Sequence, residues 1–255
     1  MTPFLSSLFA NLAIAFVLVV VILGLKNFQT YLTKHIKGLT AFTVGILLYL
    51  IFIDFIPELN EEISGVELGS YLLLGIGIFY VLELIFHWHH CGDLGHEKDC
   101  QHGFHEKHKE HQNLMFTGTF LHNAFHGIEL FSAFVISMEL GIALTIGIAL
   151  HALPQNIANF IMNHHNIRSV ILAATGGVGG ALLIYPFGGF ITEHAFVILA
   201  ITAGGLTYLA LTDILPSLHG GAKMKEKTSY FVMVLLGIAM MYLVRMLMAS
   251  AGIEA

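Results

Sequence analysis

The amino-acid sequence predicts an all-α fold: a polytopic membrane helical bundle of about eight transmembrane helices, with spans 1–3 and 6–8 forming an inverted repeat around spans 4–5. Three observations predict it. Of 255 residues, 56% are hydrophobic and 11% charged, with a mean hydropathy of +0.79, too apolar for an ordinary water-soluble domain. The apolar residues fall in runs of roughly 20, the length of helix that crosses a hydrocarbon layer. Finally, Gly45, Tyr49, Leu50, Asp54, Pro57 and Leu59 recur as Gly204, Tyr208, Leu209, Asp213, Pro216 and Leu218 at one constant offset.

The spans read in order as Leu5 to Leu25, Leu39 to Pro57, Leu68 to Phe86, Leu114 to Ile136, Gly141 to Met162, Val170 to Ile191, Ala195 to Leu218 and Tyr230 to Ala249. No basic residue precedes the first and no small-residue cleavage site follows it, so it is expected to stay as a helix rather than leave as a signal peptide. Residues 1–255 are expected to form one transmembrane domain, with a histidine-rich cytoplasmic loop at 88–112 inside it. Gly176-Gly177-Val178-Gly179-Gly180 lies within the sixth span, where close helix packing is the simplest use of glycine.

Basic residues orient the bundle. Lys26, Lys34 and Lys37 follow the first span, Lys98, Lys107 and Lys109 the third, Arg168 the fifth, and Lys223, Lys225 and Lys227 the seventh. The other connections carry glutamates with no lysine or arginine, so the positive-inside rule places both termini outside the cytoplasm. The net charge of −6 is then a sum over two separated faces and predicts no nucleic-acid partner.

In this topology the second span runs outward and the seventh inward. The repeat is therefore inverted, a signature of secondary carriers with a midplane site. Asp54 ends near the outer face and Asp213 near the inner face, and both are candidate pathway residues. The alternative is that Asp-x-x-Pro merely ends both helices.

Spans four and five carry the polar residues that a bilayer should exclude, and intramembrane polar clusters are functional candidates by default. His122, His126 and Glu129 form one stripe of the fourth span, while Asn123 points about 100° away. His151 and Gln155 form the facing pair on the fifth, and Pro154 can kink that helix between them. Three histidines on adjoining helices, offering neutral imidazole nitrogens, point to a buried transition-metal site.

His122-Asn123 with Gly127 four residues on, followed in the next span by His151 and Pro154, resembles the pattern of the ZIP (Zrt- and Irt-like) divalent metal transporters. The resemblance covers nearly the whole chain and implies a helical bundle that moves zinc, iron or a related divalent ion into the cytoplasm, with zinc first. It implies a metal site of His122, His126 and His151, with Gln155 as a weak oxygen ligand and Asn123 left from a second position. The departures lie at the acids: His126, Ala152, Gln155 and Tyr185 stand where the family commonly has carboxylates. Glu129 is the nearest remaining anion. Imidazoles suit zinc, copper, iron or nickel rather than magnesium or calcium.

Between the third and fourth spans lie His89, His90, Cys91, His96, Cys100, His102, His105, His108 and His111. This biased segment reads either as a metal acceptor or as a solvated linker, since it has no fixed zinc-finger spacing. His164, His165 and His219 follow the fifth and seventh spans and are candidate exit residues. The expected partners are a divalent metal ion, the lipid bilayer of a cell (plasma or inner) membrane, and a second copy in a homodimer. Besides a carrier, the readings kept open are a non-transporting metal sensor or scaffold and, last, a membrane metallohydrolase, for which no His-Glu-x-x-His pair is present.

Overall fold

A computed structural model describes residues 2–25, 28–86, 106–162, 167–214 and 224–253, and every regular element among them is a helix. In chain order these are α1 (Pro3–Leu25), α2 (Gln29–Tyr49), α3 (Ile56–Glu62), α4 (Gly65–Phe86), α5 (Glu106–Ile136), α6 (Met138–Met162), α7 (Ile167–Ile184), α8 (Gly188–Glu193), α9 (Ala195–Tyr208) and α10 (Met224–Ser250). Six stretches are long and apolar enough to cross a membrane: Pro3–Gly24, Lys34–Glu62, Gly65–Leu84, Met138–Ile157, Val170–Glu193 and Met224–Ser250. With α5 and α9 they make an all-α polytopic bundle.

Several helices outrun the apolar runs that announced them. α2 begins at Gln29 and α5 at Glu106, ahead of Leu39 and Leu114. Hydropathy marks only the lipid-immersed part, whereas glutamate, lysine and glutamine continue the hydrogen-bonded ladder into water. The sixth span is interrupted: a 3-10 turn at Tyr185–Phe187 separates α7 from α8, because Pro186 cannot donate to the helix. Pro154, by contrast, sits inside α6, which runs without a break from Met138 to Met162.

α5 and α6 are joined through Ser137 alone, whose hydroxyl accepts the Leu140 amide at 3.1 Å and caps α6. Two such long helices with one residue between them pack as an antiparallel pair. α5 also packs on α7 and α1, while α2 packs on α10 and α4 on α9; α6 against α2 and α5 against α9 join the two sets. Tyr49, Leu50, Phe55, Leu130, Leu144 and Leu199 fill the core where these helices meet.

The internal repeat reappears in three dimensions. α2 is extended by a π-helical segment, Leu50–Phe55, and α9 by Leu209–Ile214, at corresponding positions of the repeat. A Cβ on Gly45 would strike the Val234 carbonyl and one on Gly237 the Phe42 carbonyl; likewise Gly204 meets the Leu72 carbonyl and Gly75 the Ile201 carbonyl. The two contacts are copies. Phe42 and Gly45 correspond to Ile201 and Gly204, and Leu72 and Gly75 to Val234 and Gly237, so the repeat extends to the third and eighth spans. Span 2 packs on span 8 as span 7 packs on span 3.

Candidate metal centre

The glycines of the sixth span set the stage for the site. Gly180 lies against the Ala124 carbonyl and Gly127 against that of Gly177, so that any side chain there would collide with backbone. This close approach holds α7 on the face of α5 that bears Asn123, and the Asn123 amide donates to the Ala173 carbonyl at 2.8 Å. Asn123 thus braces α5 on α7 and points away from the histidines.

On the other side of α5 the imidazoles of His122 and His126 meet His151 of α6. The Nε2 atoms of His126 and His122 are 3.0 Å apart, and those of His122 and His151 are 3.2 Å apart. The potential ligand atoms of all three lie within 4.8 Å of one another, the one such group among the described residues. All three side chains are buried. Their rings cross at interplanar angles of 79°, 61° and 86°, so each presents an edge to a shared centre.

Glu129 fixes the direction of this donor set. Its carboxylate is 2.7 Å from His126 Nδ1, and it is only 1% exposed. An imidazole whose Nδ1–H is held by a carboxylate offers its Nε2 lone pair to the opposite side. His122 Nε2 then faces two other nitrogens and carries at most one proton for both contacts. A single cation at the centre would satisfy all three lone pairs. A tetrahedral zinc with Zn–N of about 2.0–2.1 Å spreads its nitrogens about 3.3 Å apart, close to the 3.0 and 3.2 Å separations of two of the three pairs.

The remaining expected residues separate clearly. Gln155, one turn beyond His151, is half-buried, and its buried Oε1 has no hydrogen-bond partner. Glu129 reaches the cluster through His126 rather than as a member of it. Asp54 lies away from the histidines: Arg245 of α10 donates to its Oδ1 at 3.2 Å and lies 3.5 Å from the Ile53 carbonyl. The backbone of Asp213 falls in the second π-helical segment, and its side chain lies outside the described part of the structure. His164, His165, His219, His89, His90, Cys91, His96, Cys100, His102 and His105 lie outside the described residues. His108 and His111 belong to the backbone of α5 only.

Sequence reasoning gave no role to Arg245. A cavity of about 200 Å³ surrounds it, lined among others by Asp54, Glu58, Glu61, Glu139 and Met248. The end of α2, the α5–α6 turn and the end of α10 therefore share one mouth. The signal was present in the repeat, whose extension to the third and eighth spans aligns Arg245 with Glu83.

No family model matches the chain. It is similar to curated proteins named zinc transporters. One is the zinc transporter ZIP13 homolog of Drosophila melanogaster, 24% identical over 279 residues, covering 84% of this chain and 79% of the relative. Another is zinc transporter ZIP13 of Pongo abelii, 25% identical over 208 residues, covering 72% and 59%. A third is zinc transporter ZIP10 of Homo sapiens, 27% identical over 154 residues, covering 54% and 18%. The chain thus spans most of the fly relative but less than two thirds of the other two. Together with the histidine, asparagine, glycine and proline positions of α5 and α6 and the repeat around them, these likenesses make the chain similar to the ZIP zinc transporters.

Proposed function

We propose that this chain carries a divalent transition metal, zinc first, across a membrane toward the cytoplasm, by way of the imidazoles of His122, His126 and His151. The observation that carries the reading is the convergence of three buried imidazoles from two adjoining membrane helices, with His122 Nε2 within 3.0 and 3.2 Å of the other two Nε2 atoms and all three ligand atoms within 4.8 Å of one another. Relatives named zinc transporters support it, and they weigh against the metallohydrolase alternative. Iron stays second, as another ion that imidazole binds well.

In this reading the metal is substrate. His122 and His151 bind it directly, and His126 binds with its ring held in place by Glu129 behind it. Gln155 supplies a neutral oxygen on the α6 side. Asn123 is a brace rather than a ligand. Asp54 and Asp213 are candidates for the two ends of the path, and the basic character of their loops assigns the loop histidines and cysteines with His164, His165 and His219 to the cytoplasmic side by sequence. The basic loops place both termini outside the cytoplasm of a cell (plasma or inner) membrane. A homodimer completes the reading, tested by the mass of the detergent-solubilised particle.

The test is zinc uptake into proteoliposomes, with zinc binding measured on the same sample. Wild type should do both, and His151→Ala should lose both while keeping its detergent-solubilised helical fold. Binding without flux in wild type would favour a sensor or scaffold. Wild-type flux by a folded His151→Ala protein would remove the histidine cluster from the path.

A further inference from the structure

The mouth at the α5–α6 turn holds a charge where a membrane helix tolerates few. Arg245 is the only arginine or lysine inside the last span after its first turn, and intramembrane cations are functional candidates by default. Its guanidinium is seated on Asp54, inside a π-helical segment, the kind of helical irregularity that recurs at functional sites. Around it stand three more carboxylates, Glu58 and Glu61 from α3 and Glu139 from α6, on the walls of one cavity. The Asp54 side chain is 9% exposed, whereas that of Arg245 is 51% exposed. The acid is fixed in the wall and the cation reaches it from the open side.

The other half of the repeat offers an internal control. Arg245 corresponds to Glu83 and Tyr49 to Tyr208, at the opposite end of the bundle. There the Tyr208 hydroxyl donates to the Glu83 carboxylate at 2.6 Å. The same scaffold position thus presents a cation at one end of the bundle and an anion at the other. Simple helix pinning does not require that reversal, because the Tyr208–Glu83 hydrogen bond ties its helices without an arginine.

We propose that Arg245 is the tethered counter-cation of the outer mouth: it occupies Asp54 until an incoming divalent ion displaces it, and so sets the concentration at which the ion loads. The proposal rests on the carrier reading above. Glu58, Glu61 and Glu139 draw cations to the cavity, and Arg245 competes with them for the innermost acid. Removing the guanidinium should make loading easier without altering the later steps through the histidines.

The experiment measures zinc flux against zinc concentration in proteoliposomes of wild type, Arg245→Gln, Arg245→Lys, Asp54→Asn and the Asp54→Asn/Arg245→Gln double variant. Arg245→Gln should lower KM by about threefold or more with Vmax within about twofold, and the shift should shrink at high salt. Arg245→Lys should shift KM less, because it keeps the charge. Asp54→Asn should abolish the effect of Arg245→Gln, since the two act through one contact. An unchanged KM with a lowered Vmax in Arg245→Gln would overturn the proposal, as would additive effects in the double variant. A second readout does not need flux: Ala143→Cys, on the cavity wall, in a Cys91→Ser/Cys100→Ser background, labelled with a cationic thiol reagent. Zinc should slow labelling at lower concentration in the Arg245→Gln protein, and equal protection with and without Arg245 would overturn the proposal. Absence of wild-type flux would overturn the carrier reading alone, leaving the labelling to decide the role of Arg245.

Discussion

The bundle centre and its α5–α6 mouth use opposite chemistries for cations. At the centre three buried imidazoles converge, and the nearest carboxylate, Glu129, stands behind His126. At the mouth four carboxylates line a cavity around one guanidinium. Carboxylates attract an ion over distance, but the attraction is screened by salt. Neutral nitrogens attract weakly at range and discriminate by geometry and softness once in contact. In the proposed carrier, the difference would separate capture from selection. A centre poor in charge can hold a transition metal by coordination without the electrostatic trap that several buried carboxylates would make.

The largest expected effect comes from breaking the centre. His151→Ala removes one of three ligands and should weaken zinc binding by more than about 100-fold, because even a residue one shell out commonly costs 10–100-fold. Isothermal titration of the purified protein checks it. Glu129→Gln comes next: losing the anion behind His126 should weaken binding about 10–100-fold while the histidines remain, and the same titration reads it. At the mouth, Glu58→Gln with Glu61→Gln should raise the KM for flux about two- to fivefold at low salt, with the effect vanishing near 1 M salt, where screening shortens to about 3 Å. A loss of binding that salt does not change would erase the distinction between the two regions. Smallest of all, replacing residues 89–111 by a short polar linker should change flux at saturating zinc less than about twofold, because the central histidines lie outside that segment; uptake assays on the inserted protein test this.

Much of this was legible in the sequence because bilayer and helix each impose one dominant period. Runs of apolar residues gave the spans, and the i, i+4, i+7 stripe of His122, His126 and Glu129 put them on one face, where they stand. The glycines around Gly177 read correctly as a packing surface, since the bulk that glycine lacks is space for α5. The π-helical segments were not legible. A shift from i→i+4 to i→i+5 bonding is decided by neighbouring helices, and Leu50–Phe55 is apolar in the way that any buried helix is. Nor did the sequence separate a metal ligand from its support: Glu129 lies on the ligand stripe, and only the 2.7 Å contact to Nδ1 assigns it to His126. The pairing of Asp54 with Arg245 joins the second and eighth spans, a separation no local pattern encodes. The break at Pro186, flanked by Gly188 and Gly189, was written in the chain, but a hydropathy run passes over it.

The central claim is that imidazole nitrogens of α5 and α6 hold the substrate metal. X-ray absorption of one zinc equivalent bound to the protein with residues 89–111 replaced tests it most directly. A first shell with three imidazole nitrogens at about 2.0–2.1 Å, losing one imidazole in His151→Ala, is the predicted result. A shell dominated by carboxylate oxygens, or one that His151→Ala leaves unchanged, would contradict it.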